Sequence, residues 1–239
     1  MARHATIAAM HLPRQHDFVY LASQSPRRAQ LLDQLGVAHR PLLAAADEDA
    51  EALEAERAGE WPRDYVQRVT LAKLAAAQRR ARERGLPPAP ILAADTTVAL
   101  GRRILGKPRD AADAAAMLAA LSGRGHRVLT AVALAWGARG RQRRLLLNES
   151  RVHLAPLPPA VIERYVAGGE PMGKAGAYAI QGAIAGWIRR IDGSHSGIMG
   201  LPLFETAQLL AAARVALPMA PLAPSNRGGR GSVGGDGRS

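Results

Sequence analysis

The sequence predicts an α/β fold in which helices flank a mixed central sheet. Apolar, strand-like runs alternate with segments whose apolar residues recur at helical spacing, from residue 18 to about residue 213. Two strand-like runs, residues 126–136 and 144–154, are separated only by a short polar segment and so form an antiparallel pair. Strands mixed with helices throughout leave an α+β arrangement as the alternative, which also contains a mixed sheet.

The first predicted strand and helix follow one another closely. Phe18–Ala22 is apolar and β-prone, and Pro26–Leu35 has a helical pattern. Ser25 is a good N-cap residue before a proline at the first helical position, and Gly36 is a natural stop. The strand is therefore expected to lead into this helix across a short loop.

The middle of the chain predicts a long helix and a short buried strand. Apolar residues at helical spacing predict a helix over Tyr65–Glu83, ended by a glycine. The apolar run Ile91–Ala94 predicts a buried strand that ends at Asp95. The residues from 98 to 105 are then expected to form a hairpin around Gly101.

The remaining elements continue the alternation. Asp110 is a candidate N-cap, and the acidic residue three positions later suits the positive end of a helix dipole. The predicted elements are a helix over Asp110–Leu121, strands over His126–Trp136 and Arg144–Leu154, and helices over Pro158–Ala167 and Phe204–Ala213.

Composition limits the class of protein. The 239 residues, 48% of them hydrophobic, provide one sizeable core. The chain has no cysteine, which excludes disulfides, thiolate catalysis and cysteine-ligated metals and fits a cytoplasmic location. No apolar run approaches the ~20 residues of a membrane span, and no signal peptide is predicted. We expect one domain over residues 17–214, a loose N-terminal extension over 1–16, and a disordered Pro/Gly/Arg-rich tail over 218–239.

The net charge of +12 indicates an anionic partner, either a nucleotide or a nucleic acid. Aromatic residues that could stack on bases make up only 4% of the chain, which disfavours a nucleic-acid-binding protein. Neither a P-loop nor a dinucleotide-binding glycine motif is present, and no histidines have the spacing of a zinc site. We therefore expect no nucleic-acid partner and no membrane partner.

The start of the first predicted helix is a candidate anion site. A helix N-terminus carries partial positive charge and unpaired N–H groups, so acidic residues are favoured there. This helix has Arg27 and Arg28 in its first turn instead. Two fixed cations beside free N–H groups suit phosphate, although arginines that simply point into water would give the same pattern.

Five further side chains are candidates for chemistry, each with a plainer alternative. Asp95 is placed for a site at a strand end, or it caps that end. Glu48 lies in an acidic run that is either a solvated loop or, together with Asp95, a holder of Mg²⁺. A stiff Gly-Lys-Pro turn presents Lys107, whereas Lys73 on the long helix is at a position where lysines commonly cover apolar surface. Gln181 offers a donor and an acceptor to a base edge, or is buried with its hydrogen bonds satisfied.

Taken in order, these segments resemble the Maf family of nucleoside triphosphate pyrophosphatases. The resemblance covers roughly residues 18–213. The matching segments are LASQSPRRAQLLDQLGV (Leu21–Val37), ADEDAE around Glu48, YVQRVTLAKL (Tyr65–Leu74), AADTTV (Ala93–Val98), the stretch Ile104–Leu134, GEPMGKAGAYAIQG (Gly169–Gly182) and GLPLFET (Gly200–Thr206).

The resemblance implies a reaction and an architecture. It implies hydrolysis between the α and β phosphates, giving a nucleoside monophosphate and pyrophosphate, with a divalent metal cation: Mg²⁺ first, Mn²⁺ or Co²⁺ as alternatives. It also implies two lobes around a nucleotide-binding cleft and a homodimer. A nucleotide-binding regulator of septum formation that does not turn over its ligand is the rival within the same resemblance.

The resemblance also implies roles for single residues. Asp95 corresponds to the proton acceptor and, with Glu48, to the metal ligands. The substrate-binding positions are Ser23, Arg27, Arg28, Lys73, Lys107 and Gln181. The positions that sort subfamilies are Arg27, Thr96 and Gln181, and the AGAYAIQG form resembles the branch that acts on dTTP and UTP.

Overall fold

A mixed sheet of seven strands organises the protein, which is described here by a computed structural model over residues 16–45, 48 and 52–219. The strands are β1 (Val19–Leu21), β2 (His39–Pro41), β3 (Ile91–Leu100), β4 (Arg103–Leu105), β5 (Gly125–Trp136), β6 (Gln142–Leu154) and β7 (Ile188–Asp192). Their order is β2-β1-β3-β5-β6-β7, with β4 paired to the end of β3. β1 runs parallel to β2 and β3, and the other pairs are antiparallel. The predicted α/β fold with a mixed sheet is confirmed.

Helices cover both faces of the sheet. They are α1 (Pro26–Gln34), α2 (Pro62–Glu83), α3 (Ala111–Leu121), α4 (Pro159–Ala167), α5 (His195–Met199) and α6 (Leu203–Ala212). Even-numbered residues of β3 and β5, such as Leu92 and Val132, pack with α1 and α6, whereas odd-numbered ones, such as Ala93 and Ala133, pack with α2. This alternation follows from the two-residue repeat of a strand and decides which helix each site residue meets.

The prediction that a strand ends at Asp95 is wrong. β3 continues through Asp95 to Leu100, because β5 pairs with it along its whole length, with Asp95 opposite Ala131. The threonines and valine after Asp95 are β-prone residues that sustain the strand. The predicted hairpin is present as the β3–β4 pair, and Gly101 at its turn has a φ of +63°. Asp95 thus lies in the middle of β3, and the strand residues before and after it are paired with β5.

The other predicted elements are present with ends shifted by a few residues. α1 and α3 begin at their predicted positions, and the Asp110 side chain accepts a hydrogen bond from the backbone N–H of Asp113 as an N-cap should. The long helix α2 begins three residues early, at Pro62. Sequence analysis missed the short elements β2, β7 and α5, which have too few residues to show a period.

The expectations for the two chain ends concern residues outside the described ones. These are the loose extension, apart from His16, and the tail beyond Met219. His16 itself forms a parallel bridge with Val215, and Pro218 lies against Gly36 at the end of α1. Among the described helices, none combines the length and apolarity needed to cross a bilayer.

Candidate active site

A cleft of about 840 Å³ opens between the N-terminus of α1 and the β3–β4 hairpin. The predicted site residues that line it are Ser23, Arg27, Arg28, Glu48, Lys73, Asp95, Thr96 and Lys107. Gln181 is exposed and is not among the lining residues, whereas its near neighbours Tyr178 and Ile180 are. The fold therefore brings together side chains that are as much as 84 positions apart in the sequence (Ser23 to Lys107).

Asp95 and Thr96 enter this cleft from opposite faces of β3. Because side chains alternate along a strand, Asp95 faces α2 and Thr96 faces α1. On the α2 side, Lys73 Nζ donates to Asp95 Oδ1 at 2.6 Å. On the α1 side, an Arg28 nitrogen lies 3.5 Å from Thr96 Oγ1. Two adjacent residues of β3 thus make different contacts: Asp95 pairs with the ammonium group of Lys73, and Thr96 contacts the guanidinium of Arg28.

Lys73 joins two carboxylates in the cleft. Besides the bond to Asp95, its Nζ donates to Glu54 Oε1 at 2.7 Å. Lys107 Nζ lies 3.0 Å from the other oxygen, Glu54 Oε2. The two lysines and two acids form a chain, Asp95–Lys73–Glu54–Lys107, in which each carboxylate is neutralised and each ammonium can be offered to another anion.

Sequence analysis missed Glu54. It lies in a three-residue 3₁₀ turn, Ala52–Glu54, whose backbone is tied to α2 where Tyr65 Oη donates to the Glu54 carbonyl at 2.8 Å. Burial alone would raise the pKa of the Glu54 carboxyl, but the charge of Lys73 and hydrogen bonds from Lys73 and Lys107 lower it below its usual value. Only membership of an acidic stretch marked this residue in the sequence, because no motif surrounds it.

Arg28 is tied to the protein framework. Its Nε donates to the Gly200 carbonyl at 2.8 Å, and one Nη donates to Ser23 Oγ at 3.0 Å. Thr96, the third partner of Arg28, is hydrogen-bonded to Thr130. Thr130 in turn donates to the Gly197 carbonyl at 2.7 Å. Burial lowers the pKa of the Arg28 guanidinium, and the charge of Asp95 opposes that effect. Arg28 therefore links α1, β3 and the α5–α6 loop around the cleft.

Arg27 differs from its neighbour. Within the described residues its side chain makes no hydrogen bond or ion pair, although it lines the cleft. Ser25 occupies the N-cap position with an extended backbone, but its side chain makes no capping bond, and its backbone N–H donates to Ser23 Oγ at 3.1 Å. Pro26 has no N–H and that of Arg28 donates to the Ser25 carbonyl, so within the described residues the predicted anion site retains the guanidinium and the backbone N–H of Arg27.

Glu48 is paired with a buried arginine. The two oxygens of Glu48 accept hydrogen bonds of 2.6 and 3.0 Å from Arg80, which also donates to the Leu42 carbonyl. The hydrogen bond from Arg80 lowers the pKa of the Glu48 carboxyl. The residues predicted as a metal pair, Glu48 and Asp95, both line the cleft, but each is held by its own cation. Asp47, Asp49 and Glu51 of the same acidic run lie outside the described residues.

The wall opposite α1 is built from the segment that follows α4. Gly176, in a left-handed conformation, donates its N–H to the carbonyl of Gly106 and so holds the turn that presents Lys107. Tyr178 lines the cleft and its hydroxyl lies 2.7 Å from Nε2 of the buried His126. Because Gly176 has no side chain, this wall lies close to Val98 of β3.

Comparison with known proteins identifies the family of this chain. The family model described as Maf-like protein matches residues 18–213. A dTTP/UTP pyrophosphatase of Polaromonas sp. is 64% identical over 82% of this chain and 96% of its own length, and one of Burkholderia pseudomallei is 61% identical over 86% and 98%. Among solved structures, a HAM1 protein from Coxiella burnetii covers 82% of this chain and 98% of its own with a TM-score of 0.43 at 16% identity, a likeness too distant to bear on function. Because the family model matches residues 18–213 and these relatives are 64% and 61% identical, the chain belongs to the Maf-like protein family.

Proposed function

We propose that this chain is a nucleoside triphosphate pyrophosphatase that hydrolyses dTTP and UTP to the monophosphate and pyrophosphate. Membership of the family and the names of its relatives support this activity. The observation that carries it is the position of Asp95 in mid-strand inside a cleft lined by Arg27, Arg28, Lys73 and Lys107. A cleft rich in cations around one fixed carboxylate suits attack on a highly charged phosphate chain.

Cationic groups would first reduce the negative charge of the triphosphate. Arg27, Lys73 and Lys107, together with the backbone N–H of Arg27 at the start of α1, are positioned to donate to phosphate oxygens. Their stabilisation is strongest where charge builds up in the transition state. Arg28 contributes by holding Ser23 and β3 in place, since three of its five N–H donors bind the framework at Gly200, Ser23 and Thr96.

Asp95 is proposed as the proton acceptor. Its Oδ1 is held by Lys73, whereas its Oδ2 accepts no hydrogen bond from the described side chains. That second oxygen is available to orient a water molecule and take its proton. The strand backbone on both sides keeps the carboxylate fixed while this happens.

The residues present fit a divalent cation that arrives with the phosphates. The described residues include no cluster of three acidic or histidine side chains that could hold the ion without the phosphates. Mg²⁺ commonly uses one or two carboxylates together with water and phosphate oxygens, and Asp95 can supply one, with Glu48 as the second predicted ligand. Such an ion neutralises charge and makes a bound water more acidic. Mn²⁺ or Co²⁺ would bind to the same donors.

Base selection is proposed to involve Arg27, Thr96 and Gln181. The first two line the cleft, and Gln181 adjoins the wall that contains Ile180. Gln181 is exposed outside the cleft lining, so it would reach a pyrimidine edge only if its loop turned inward. The preference for dTTP and UTP comes from the names of the relatives.

Pyrophosphate release from a panel of nucleoside triphosphates with Mg²⁺ tests the proposed activity. We expect dTTP and UTP to be the best substrates. Asp95→Asn should remain folded and lose at least about a hundredfold in turnover, because a general base contributes roughly 10²–10⁴-fold. Near-normal turnover by this variant would remove Asp95 from its role. Binding of dTTP by the wild type without release of pyrophosphate would favour the regulator of septum formation instead.

We also propose that the chain forms a homodimer in the cytoplasm, where nucleoside triphosphates are used. Within the described residues, β7 pairs with β6 only from Arg151 onward, so residues 142–150 of β6 have one unpaired edge. In an antiparallel pairing of two copies centred on Leu146, Arg143 of one copy would face Glu149 of the other.

The mass of the protein in solution tests this dimer. A dimeric mass that Leu146→Pro reduces to a monomeric one supports pairing through this edge, because proline removes a backbone donor there. A monomeric wild type at micromolar concentration would disprove the dimer.

A further inference from the structure

The carboxylate of Glu54 lies where the cleft offers two ammonium groups at once. Its Oε1 is 2.7 Å from Lys73 Nζ and its Oε2 is 3.0 Å from Lys107 Nζ. Two anionic oxygens that each bind a separate lysine form the same pattern that two oxygens of a phosphate would form. A phosphate that binds both lysines in this way would take the place of the Glu54 carboxylate.

The Asp95 side chain is fixed in place, whereas that of Glu54 can move away from the two lysines. The Glu54 side chain is 26% exposed, and it sits on a 3₁₀ turn of three residues. The other partner of Lys73, Asp95, is 10% exposed at the side chain and lies within a paired strand. Of the two carboxylates on Lys73, the one that yields to an incoming anion is Glu54.

We propose that Glu54 is an internal competitor for the phosphates of the substrate: it holds Lys73 and Lys107 in the free enzyme, leaves them when the triphosphate binds, and returns to help expel pyrophosphate. This rests on the proposed pyrophosphatase function. Without Glu54, neither lysine would have this carboxylate as a competitor for a phosphate, and the cleft would retain an anionic product more tightly. Glu54 thereby determines how strongly an anion must bind to the two lysines in order to occupy the cleft, and in that respect it is a specificity-determining residue.

Binding of inorganic pyrophosphate to the metal-free, full-length protein tests this without turnover. Each of the two ion pairs is partly exposed, so their combined loss in Glu54→Gln is expected to tighten pyrophosphate binding by about three- to tenfold, measured by calorimetry. The matched control is Glu56→Gln, which removes the same charge two residues away, at an exposed position outside the cleft lining. That control should bind pyrophosphate like the wild type.

A kinetic measurement separates this role from others. In Glu54→Gln, KM for dTTP and the inhibition constant of pyrophosphate should fall together, whereas the Mg²⁺ concentration for half-maximal rate should not change. Equal or weaker pyrophosphate binding, no detectable binding to either protein, or a raised Mg²⁺ requirement that marks Glu54 as a metal ligand would each overturn the proposal. If the wild type releases no pyrophosphate from any nucleotide, the proposed function fails, and the calorimetric comparison still decides the part played by Glu54.

Discussion

Arg27 and Arg28 are adjacent in the sequence but have different surroundings. Both lie in the first turn of α1, where the sequence indicated an anion site. Arg28 is bonded to Ser23 and to the carbonyl of Gly200, whereas Arg27 makes no such bond within the described residues. Sequence alone treated the two as equivalent, because the partners of Arg28 are as far as 172 positions away. We infer that Arg27 binds phosphate and Arg28 holds the site together.

Alanine at these two positions should therefore give different defects. Arg27→Ala is expected to leave the free energy of unfolding within about 0.5 kcal/mol of the wild type and to raise KM for dTTP roughly tenfold. Arg28→Ala should lower the free energy of unfolding by about 2 kcal/mol, because hydrogen bonds from a buried charged group are lost. Urea denaturation and steady-state kinetics measure both quantities. Equal effects of the two substitutions on stability would contradict this division.

Glu48 presents a second choice between roles. Glu48→Gln is expected to destabilise the protein by about 1–2 kcal/mol at pH 7, since the Arg80 side chain is 9% exposed and its guanidinium would lose its ionised partner. Because Arg80 lowers the pKa of Glu48, this contribution is present above the pKa of the unfolded chain and is lost as pH falls through the folded pKa. Denaturation at pH 7 and at pH 3 should show the difference between wild type and variant shrink. An unchanged stability with a raised Mg²⁺ requirement would support the metal role instead.

At the scale of elements, the close approach of two segments shapes the cleft. The 3₁₀ turn Ala175–Ala177 packs against the end of β3, and a Cβ placed on Gly176 would lie 2.8 Å from Val98 Cγ1. The same glycine has a φ of +69°, which L side chains rarely adopt. Because it also bonds to Gly106, this glycine connects β3 with the turn that presents Lys107.

Alanine at Gly176 should therefore disturb both stability and substrate binding. Gly176→Ala is expected to cost about 2–4 kcal/mol, from an unfavourable φ together with overpacking in the core. Gly169→Ala is the matched control: its φ is +72°, but a Cβ there would meet nothing within 4 Å, so only about 1 kcal/mol should be lost. Thermal denaturation of the two variants and their KM values for dTTP check this. An equal loss in both would show that the contact with Val98 has no weight.

At the scale of the whole molecule, a buried histidine makes stability depend on pH. His126 is 2% exposed, and burial, with a smaller effect of the charge on His153, lowers its pKa to about 4. In the unfolded chain the pKa is about 6.5, so between these values the unfolded state binds more protons than the folded one. Stability should fall by about 3 kcal/mol from this residue alone as pH drops from 7 to 4.

Replacing that histidine tests the origin of the dependence. His126→Gln keeps a polar group near Tyr178 but does not titrate, so the difference in free energy of unfolding between pH 7 and pH 4.5 should be smaller in the variant by about 2–3 kcal/mol. A loss of stability that is the same at both pH values does not affect this difference. Parallel curves for wild type and variant would show that another group is responsible.

The sequence supported the fold class and the principal helices and strands, and most of the site residues predicted from it line the cleft. Period, caps and turn glycines are local signals, and they located α1, α3 and the β3–β4 hairpin closely. The same local signals ended a strand at Asp95, because the strand that sustains it, β5, begins 30 residues later. Short elements such as β7 are stabilised by pairing and have no pattern of their own.

What the sequence determined by itself is the chemistry available: two arginines at a helix start, a carboxylate after an apolar run, two lysines, and the order of motifs that identifies the family. What only the tertiary structure decided is which charges meet. Lys73 is shared by Asp95 and Glu54, and Glu48 is bound to Arg80. Arg28 is bonded to the framework, whereas Arg27 has no such bond to any residue that the structure describes. The physical reason is that electrostatic and hydrogen-bond energies depend on distances across the cleft, and these distances join residues that no local pattern relates.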